Sequence, residues 1–210
     1  MSLVAYFARI SREQIERCAS DPEALFSAKV EGVEVVDIDK AYEPLAWLLS
    51  PCKRAEQDYT ALLHKELSAP PPRPSLLWRL LGRKAEFEPS PELTRKGAAA
   101  DAVPLDPVLV AVEGRSESRD ERFDPGTGPA ALFAPHEVAE LSAALGSVTP
   151  ESLRIHYSPE LMDRMLVFPE HWREEGEELL SEYVAPSLVK LQQFYRAAAE
   201  REEHVLVWYA

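Results

Sequence analysis

The sequence predicts an α/β fold: a single compact domain with a mixed β-sheet, helices packed on both faces and the C-terminal strand in the sheet. Three observations predict it. Short apolar runs rich in β-branched and aromatic residues stand at the start (SLVAYFARI, 2–10), at VEVVDI (33–38) and at the end (HVLVWYA, 204–210). Between them, apolar residues recur at helical spacing. Many of those helical segments open on a cap-and-proline signal, and several stop at glycine. A chain of 210 residues is long enough to bury a sizeable core.

Residues 2–10 read as the first strand. Ser11 opens S-R-E-Q, a capping-box pattern in which Ser11 accepts from an early helical amide and Gln14 reaches back, so a helix to about Ser20 follows. Asp21-Pro22 starts a short helix to about Ala28. Gly32 breaks the chain before strand 33–38. From Asp39 to Leu49, the residues Tyr42, Leu45, Trp47, Leu48 and Leu49 form a broad apolar face. Pro44 falls near the first turn, where a missing amide costs least. Ala55, Tyr59, Leu62 and Leu63 predict a further helix over about 54–66. Pro135 opens a helix that stops at Gly146. Thr149-Pro150-Glu151 and Ser158-Pro159-Glu160 each start a short helix with a carboxylate in its first turn. A long helix is predicted from about Trp172 to Glu203, with its stripe on Leu180, Val184, Leu188, Leu191 and Tyr195 and a kink at Pro186. HVLVWYA is apolar enough to be buried in the sheet.

Residues 68–129 differ in character. Ten of the 18 prolines fall there, and proline resists both helix and central strand. The stretch reads as an elaborated insertion in one domain, 1–210. PSLLWRLLGRK (74–84) reads as a short amphipathic helix inside it. PVLVAVEG (107–114) is a strand or a helical turn, which periodicity cannot arbitrate at this length. GRSESRDERFDPGTGP reads as a loop.

Apolar residues make up 46% and charged residues 28%, ordinary globular values. The net charge of −13 argues against nucleic acid or an anionic membrane as partner, since both are polyanions. It suits a soluble cytosolic protein, for which the charge serves solubility, or one that meets a basic partner. Two cysteines, Cys18 and Cys52, exclude a disulfide scaffold. Cys18 shares a helical face with Ile15 and Ala19 and reads as core. The opening MSLVAYFARISREQ lacks the basic start of a signal peptide, and no apolar run is long enough to span a membrane. The expected location is the cytoplasm.

Asp37 and Asp39, followed by Lys40, are the first candidate chemistry. A strand projects both aspartates to one side, where a carboxylate pair could bind a hard cation or contact a ligand in the crevice at the strand end. The D-x-D spacing resembles the nucleophile loop of haloacid-dehalogenase-like phosphatases only loosely, because Ala41 stands where threonine or valine is expected. The structural alternative has Asp39 capping the next helix and Asp37 tying down the strand end, paired with an arginine. Tyr6, Arg154 and His156 are candidate neighbours of a ligand at this strand end. The five histidines have no metal-ligand spacing, so no metal and no cofactor are expected. GTGPAA (126–131) follows no convincing strand and carries a proline where a phosphate would need an amide, so it reads as a turn. Glu174, Glu175, Glu177, Glu178 and Glu182 crowd the start of the long helix, either as a solvated face favoured by the helix dipole or as an acidic patch for a basic partner.

Several segments taken together resemble the YfbM-like family of bacterial proteins, which carry a domain of unknown function. They are YFARIS, VDIDKAYEPLAWLLS, the GTGPAALFAPHEV lead into a helix, LRIHYSPELMDRMLVFPEHW, and a long helix ending in an apolar strand. The likeness covers roughly 1–65 and 105–210. Tyr42 and Pro44 depart from the pattern, as does the missing tyrosine between the glycines of GTGP. The resemblance implies a compact α/β domain and carries no activity, so it assigns no catalytic residue. Two functional expectations follow: a non-enzymatic acidic binding module, of inhibitor or immunity type, or a small-molecule binder or enzyme with a cleft at Asp37–Asp39–Lys40.

Overall fold

Both ends of the described chain are strands, and they pair with each other. In the computed structural model, which describes residues 3–26, 30–68, 89–114 and 119–210, β1 (Ala5–Ile10) runs antiparallel to the last strand, β5 (His204–Tyr209), in a six-pair register from Ala5↔Tyr209 to Ile10↔His204. On the far side of β1 lies β2 (Glu34–Asp37); on the far side of β5 lie β4 (Ala130–Phe133) and the two-residue β3 (Arg119–Asp120). The sheet order is β2-β1-β5-β4-β3. The α/β class and the C-terminal strand in the sheet are as expected. The strand directions, expected to be mixed, are antiparallel in every pairing.

Strand alternation sends side chains to two helical layers. Tyr6, Ala8 and Ile10 of β1 with Leu206 and Trp208 of β5 meet Cys18 of α1 (Arg12–Ser20) and Leu25 of α2 (Pro22–Phe26). Phe7 faces the other way, 6.2 Å from Phe194 and 6.4 Å from Tyr195. That layer contains α3 (Tyr42–Leu49), α6 (Pro107–Glu113), α7 (Pro135–Gly146), α8 (Pro150–Arg154), α9 (Pro159–Arg164), α10 (Trp172–Leu179) and α11 (Ala185–Glu200). Tyr195 is fully buried, and its hydroxyl donates to Ala111 O at 3.0 Å, which fastens α11 to α6. Gln192 Nε2 donates to Leu145 O in the last turn of α7 and to Val148 O just beyond it, which ties α11 to the end of that helix. One charge enters the sheet: Arg9 is buried, ion-paired to Glu34 and 3.7 Å from Glu203.

Local chemistry explains the element ends. Ser11 N donates to Gln14 Oε1 at 2.8 Å, and Ala134 N to Glu137 Oε2 at 2.8 Å. Residues 107–113, ambiguous by periodicity, are a helix because both ends are specified. Asp106 Oδ1 accepts from Leu109 N at 2.8 Å, and Gly114 closes the helix in the left-handed region at φ 65°. The long helix expected over 172–203 is interrupted instead. Gly176 (φ 57°, ψ −134°) breaks α10, a π-helical turn occupies Leu180–Val184, and α11 begins at Ala185. Pro186 has no amide hydrogen and its ring crowds the preceding turn, so the ladder widens just ahead of it. Ser187 Oγ then donates to Tyr183 O at 2.8 Å. α10 also has a remote cap: Asp163 accepts from Trp172 N at 2.6 Å and from Arg173 N and Nε.

The chain separates into two compact units, Met1–Ser50 with Leu105–Ala210, and Pro51–Pro104. The inserted unit therefore starts earlier than the insertion expected at 68–129 and ends earlier, because 105–129 supplies α6, β3 and the Gly126–Gly128 turn to the first unit. The first unit closes over the interruption through Ser50, whose hydroxyl donates to Asp106. The second unit pairs α4 (Pro51–Ser68) with α5 (Pro91–Ala102). Glu66 accepts from Ser90 N and Oγ, Lys96 pairs with Asp58, and Gly97 lets Tyr59 approach its backbone. The helix expected at 74–84 lies outside the described residues.

Two predictions follow from this packing. A Cβ on Gly114 would lie 2.8 Å from Val207 Cγ1 and would have to keep φ 65°. Gly114→Ala should lower the unfolding free energy by about 2–4 kcal/mol in urea titration. The second concerns His204, whose pKa is held below 6.5, chiefly by burial and then by the charge of Arg12, with Glu137 opposing. The unfolded state then binds the proton more readily, so this stability is complete above 6.5 and is lost as pH falls below it. Unfolding of His204→Gln measured across that range should show a shallower acid dependence than the parent.

Candidate functional site

The strand end at Asp37–Lys40 is built by a bulge. Ile38 N donates to Ala5 O at 3.2 Å, while Ala5 N donates to Asp39 O at 3.0 Å, so two residues oppose Ala5. Asp39 absorbs the extra length at φ 48°, a left-handed conformation that aspartate tolerates better than most residues. Asp37 Oδ1 accepts from Asp39 N at 3.2 Å, and Asp37 Oδ2 lies 3.7 Å from Lys190 Nζ of α11. Ala41 N then donates to Ile38 O, which turns the chain into α3.

Tyr183, in the π-helical turn, pins this loop. Its hydroxyl donates to Asp39 Oδ2 at 3.1 Å and accepts from Lys40 N at 3.0 Å. Burial first, then the negative charge of Asp39, push the phenol pKa well above its ordinary value of 10.0. At neutral pH the group is therefore a fixed hydrogen-bond donor and not a base. The Lys40 ammonium sits 5.0 Å over the centre of the Phe168 ring, and Phe168 N donates to Glu43 Oε1 at 3.3 Å.

Asp39 does not cap α3, which is preceded by Ala41 in helical conformation with no side-chain cap. Its carboxylate is committed to Tyr183, and Asp37 pairs with a lysine, not an arginine. Three further side chains share a neighbourhood. Tyr42 meets Tyr209 edge-on at 5.0 Å between centres, and Tyr209 donates to Glu113 O at 2.7 Å. Glu113 is 7% exposed. The Tyr42 pKa is raised by burial first and then by the charges of Glu43 and Glu113. The GTGP turn has a structural task here, since the Thr127 hydroxyl donates to Tyr209 O.

The remaining sequence candidates have other surroundings. Tyr6 stands opposite Asp37 in the β1–β2 register, but its ring stacks on Trp208 at 5.5 Å in the α1–α2 layer. Arg154, at the end of α8, pairs with Glu177, and His156 is exposed in the turn after it. Glu174, Glu175, Glu177, Glu178 and Glu182 are all exposed. Glu175 lies 2.8 Å from His171 Nε2. Beside them, a small half-open groove of about 190 Å³ is lined by Pro150, Glu151, Arg154, Leu180, Ser181 and Ala185. Among the described residues, no group of three or more His, Cys, Asp or Glu side chains is placed to hold a metal ion, and no helix is long and apolar enough to cross a membrane. Sequence reasoning missed Tyr183 and Lys190. Tyr183 is 144 residues from Asp39 and Lys190 is more distant still from Asp37, so no local pattern links either to the loop it holds.

The fold is that of an α/β protein whose antiparallel sheet holds the first and last strands side by side in its interior. The chain belongs to the family described as a domain of unknown function, DUF1877, which matches residues 92–208. This bears out the resemblance to YfbM-like proteins drawn from the quoted segments. Among solved structures it is similar to the protein of unknown function YfbM from Escherichia coli, with a TM-score of 0.57 and 19% identity over 99% of each chain. At that identity the likeness establishes the fold alone. No curated protein matches.

Tyr183→Phe removes one donor and one acceptor from the strand-end loop. It should cost about 1–3 kcal/mol in unfolding free energy. Paired with Asp39→Asn in a double-mutant cycle, the two losses should fall short of additive, because the asparagine weakens the same bond that the phenylalanine removes.

Proposed function

We propose that the protein is a non-enzymatic binding module that engages a basic protein partner through the carboxylates of α10 and the π-helical turn, as an inhibitor or immunity-type protein would. One observation carries the reading. All five glutamates there are exposed, and Glu174, Glu178 and Glu182 have no ion pair among the described residues. On a chain of net charge −13, such a patch steers a cationic surface toward itself and disfavours anionic competitors. The carboxylates of Asp37 and Asp39, by contrast, already serve internal partners.

A second reading, a small-molecule-binding protein or enzyme with its cleft at Asp37–Asp39–Lys40, draws on the left-handed Asp39 inside a bulge, a type of backbone that recurs at functional sites. A metabolite or metal that raises the melting temperature, with the rise lost in Asp37→Asn and Asp39→Asn, would favour it.

Affinity capture from the native host separates the two. A partner held by the acidic patch should be retained at low salt and released at high salt. It should also lose about tenfold or more in affinity to the variant E174K/E178K/E182K. A partner whose retention ignores both salt and charge reversal would overturn the reading.

A further inference from the structure

We infer that the groove between α8 and the π-helical turn is the anchor point for that basic partner: it takes a lysine or arginine side chain, and an aliphatic neighbour of that residue covers Ile155. The inference rests on the binding-module reading and names the place and the chemistry of contact.

The groove has the composition such a side chain needs. Pro150, exposed, and Ala185, half-buried, give apolar surface for a methylene stem, with the buried Leu180 beneath them. Glu151 lines it as an exposed carboxylate. Ser181, another lining residue, lies between the exposed Glu178 and Glu182, and its hydroxyl donates to Glu178 O at 3.2 Å. A cationic head over carboxylates with its stem on apolar carbon is the arrangement long basic side chains favour. Size points the same way. About 190 Å³ is below the roughly 300–1,000 Å³ of small-molecule pockets, so a single side chain suits it better than a metabolite. Ile155, next in the chain to Arg154, is 73% exposed, the most exposed of the large apolar side chains among the described residues. A second copy of this chain is a poor occupant, because it would bring its own net charge of −13 to an acidic rim.

The groove already contains one cation. Arg154 lines it and pairs with Glu177. Both side chains are more than half exposed, so the pair is weak and an incoming guanidinium or ammonium can displace it. Arg154 thus acts as a resident competitor, which sets the affinity of the free protein for basic segments below what its carboxylates would give alone.

The test is fluorescence anisotropy of a labelled peptide of alternating arginine and leucine with the full chain, with melting curves confirming that each variant is folded. E151Q/E177Q should weaken binding about tenfold, and Ile155→Ser about threefold. Arg154→Ala, which frees Glu177, should tighten binding about threefold. E13Q/E23Q, which removes two exposed carboxylates from α1 and α2, should leave it unchanged. Equal weakening by E13Q/E23Q would overturn the groove and leave the acidic module standing, since binding would then be diffuse charge attraction. Weaker binding by Arg154→Ala would overturn the competitor role. Failure of the peptide to bind, while a salt-sensitive basic partner is still captured, would overturn the groove alone; failure of both would overturn the groove and the module together. Self-association that Ile155→Ser abolishes would assign this surface to a second copy and overturn the inference.

Discussion

The pairing of β1 with β5 is the constraint on which the fold depends. It joins segments some two hundred residues apart, so the loop-closure entropy is met only when apolar burial follows at once. The register supplies that burial on both sides. Phe7 opposite Val207 belongs to the α11 side, and Ala8 opposite Leu206 to the α1–α2 side. A slip of one residue would turn Trp208 and Leu206 toward the wrong layer and strand Val207 away from Gly114. The bulge that opposes Ala5, the β4 pairing and the seat of α6 all inherit this alignment.

The fold was legible in the sequence where local chemistry and periodicity agree. SLVAYFARI and HVLVWYA read as strands because their β-branched and aromatic residues suit a pleated, buried surface, and both lie inside the sheet. Ser11–Gln14 and Pro135 marked true helix starts. Residues 107–113 were undecided because a seven-residue apolar run fits either period; the Asp106 cap and the left-handed Gly114 held the answer. The break at Gly176 lies ahead of the apolar stripe, which begins at Leu180, so periodicity carried no sign of it. The π-helical turn ahead of Pro186 keeps Leu180, Val184, Leu188 and Leu191 buried, so the pattern reads as one helix while the backbone makes two.

The candidate site was only half legible, and the reason is physical. Asp37, Asp39 and Lys40 are neighbours in sequence, so their proximity needed no fold. What each does was decided by partners that sequence cannot place. Tyr183 supplies the donor that takes Asp39 away from any capping role, and Lys190 takes the part expected of an arginine. The same logic separates Arg154 from the strand end: its charge is engaged by Glu177.

The π-helical turn ties these observations together. Leu180–Val184 sends Tyr183 to the bulged strand end, while Leu180 and Ser181 line the groove beside the exposed glutamates. A regular α-helix advances each side chain by about 100°, whereas a π-turn inserts a residue and shifts the faces that follow. Pro186 excludes the regular ladder at this point, so the extra residue is part of the helix's own chemistry. One local departure from helical geometry therefore sets two things at once: the tyrosine that locks the Asp37–Lys40 loop, and the direction in which the acidic flank meets solvent.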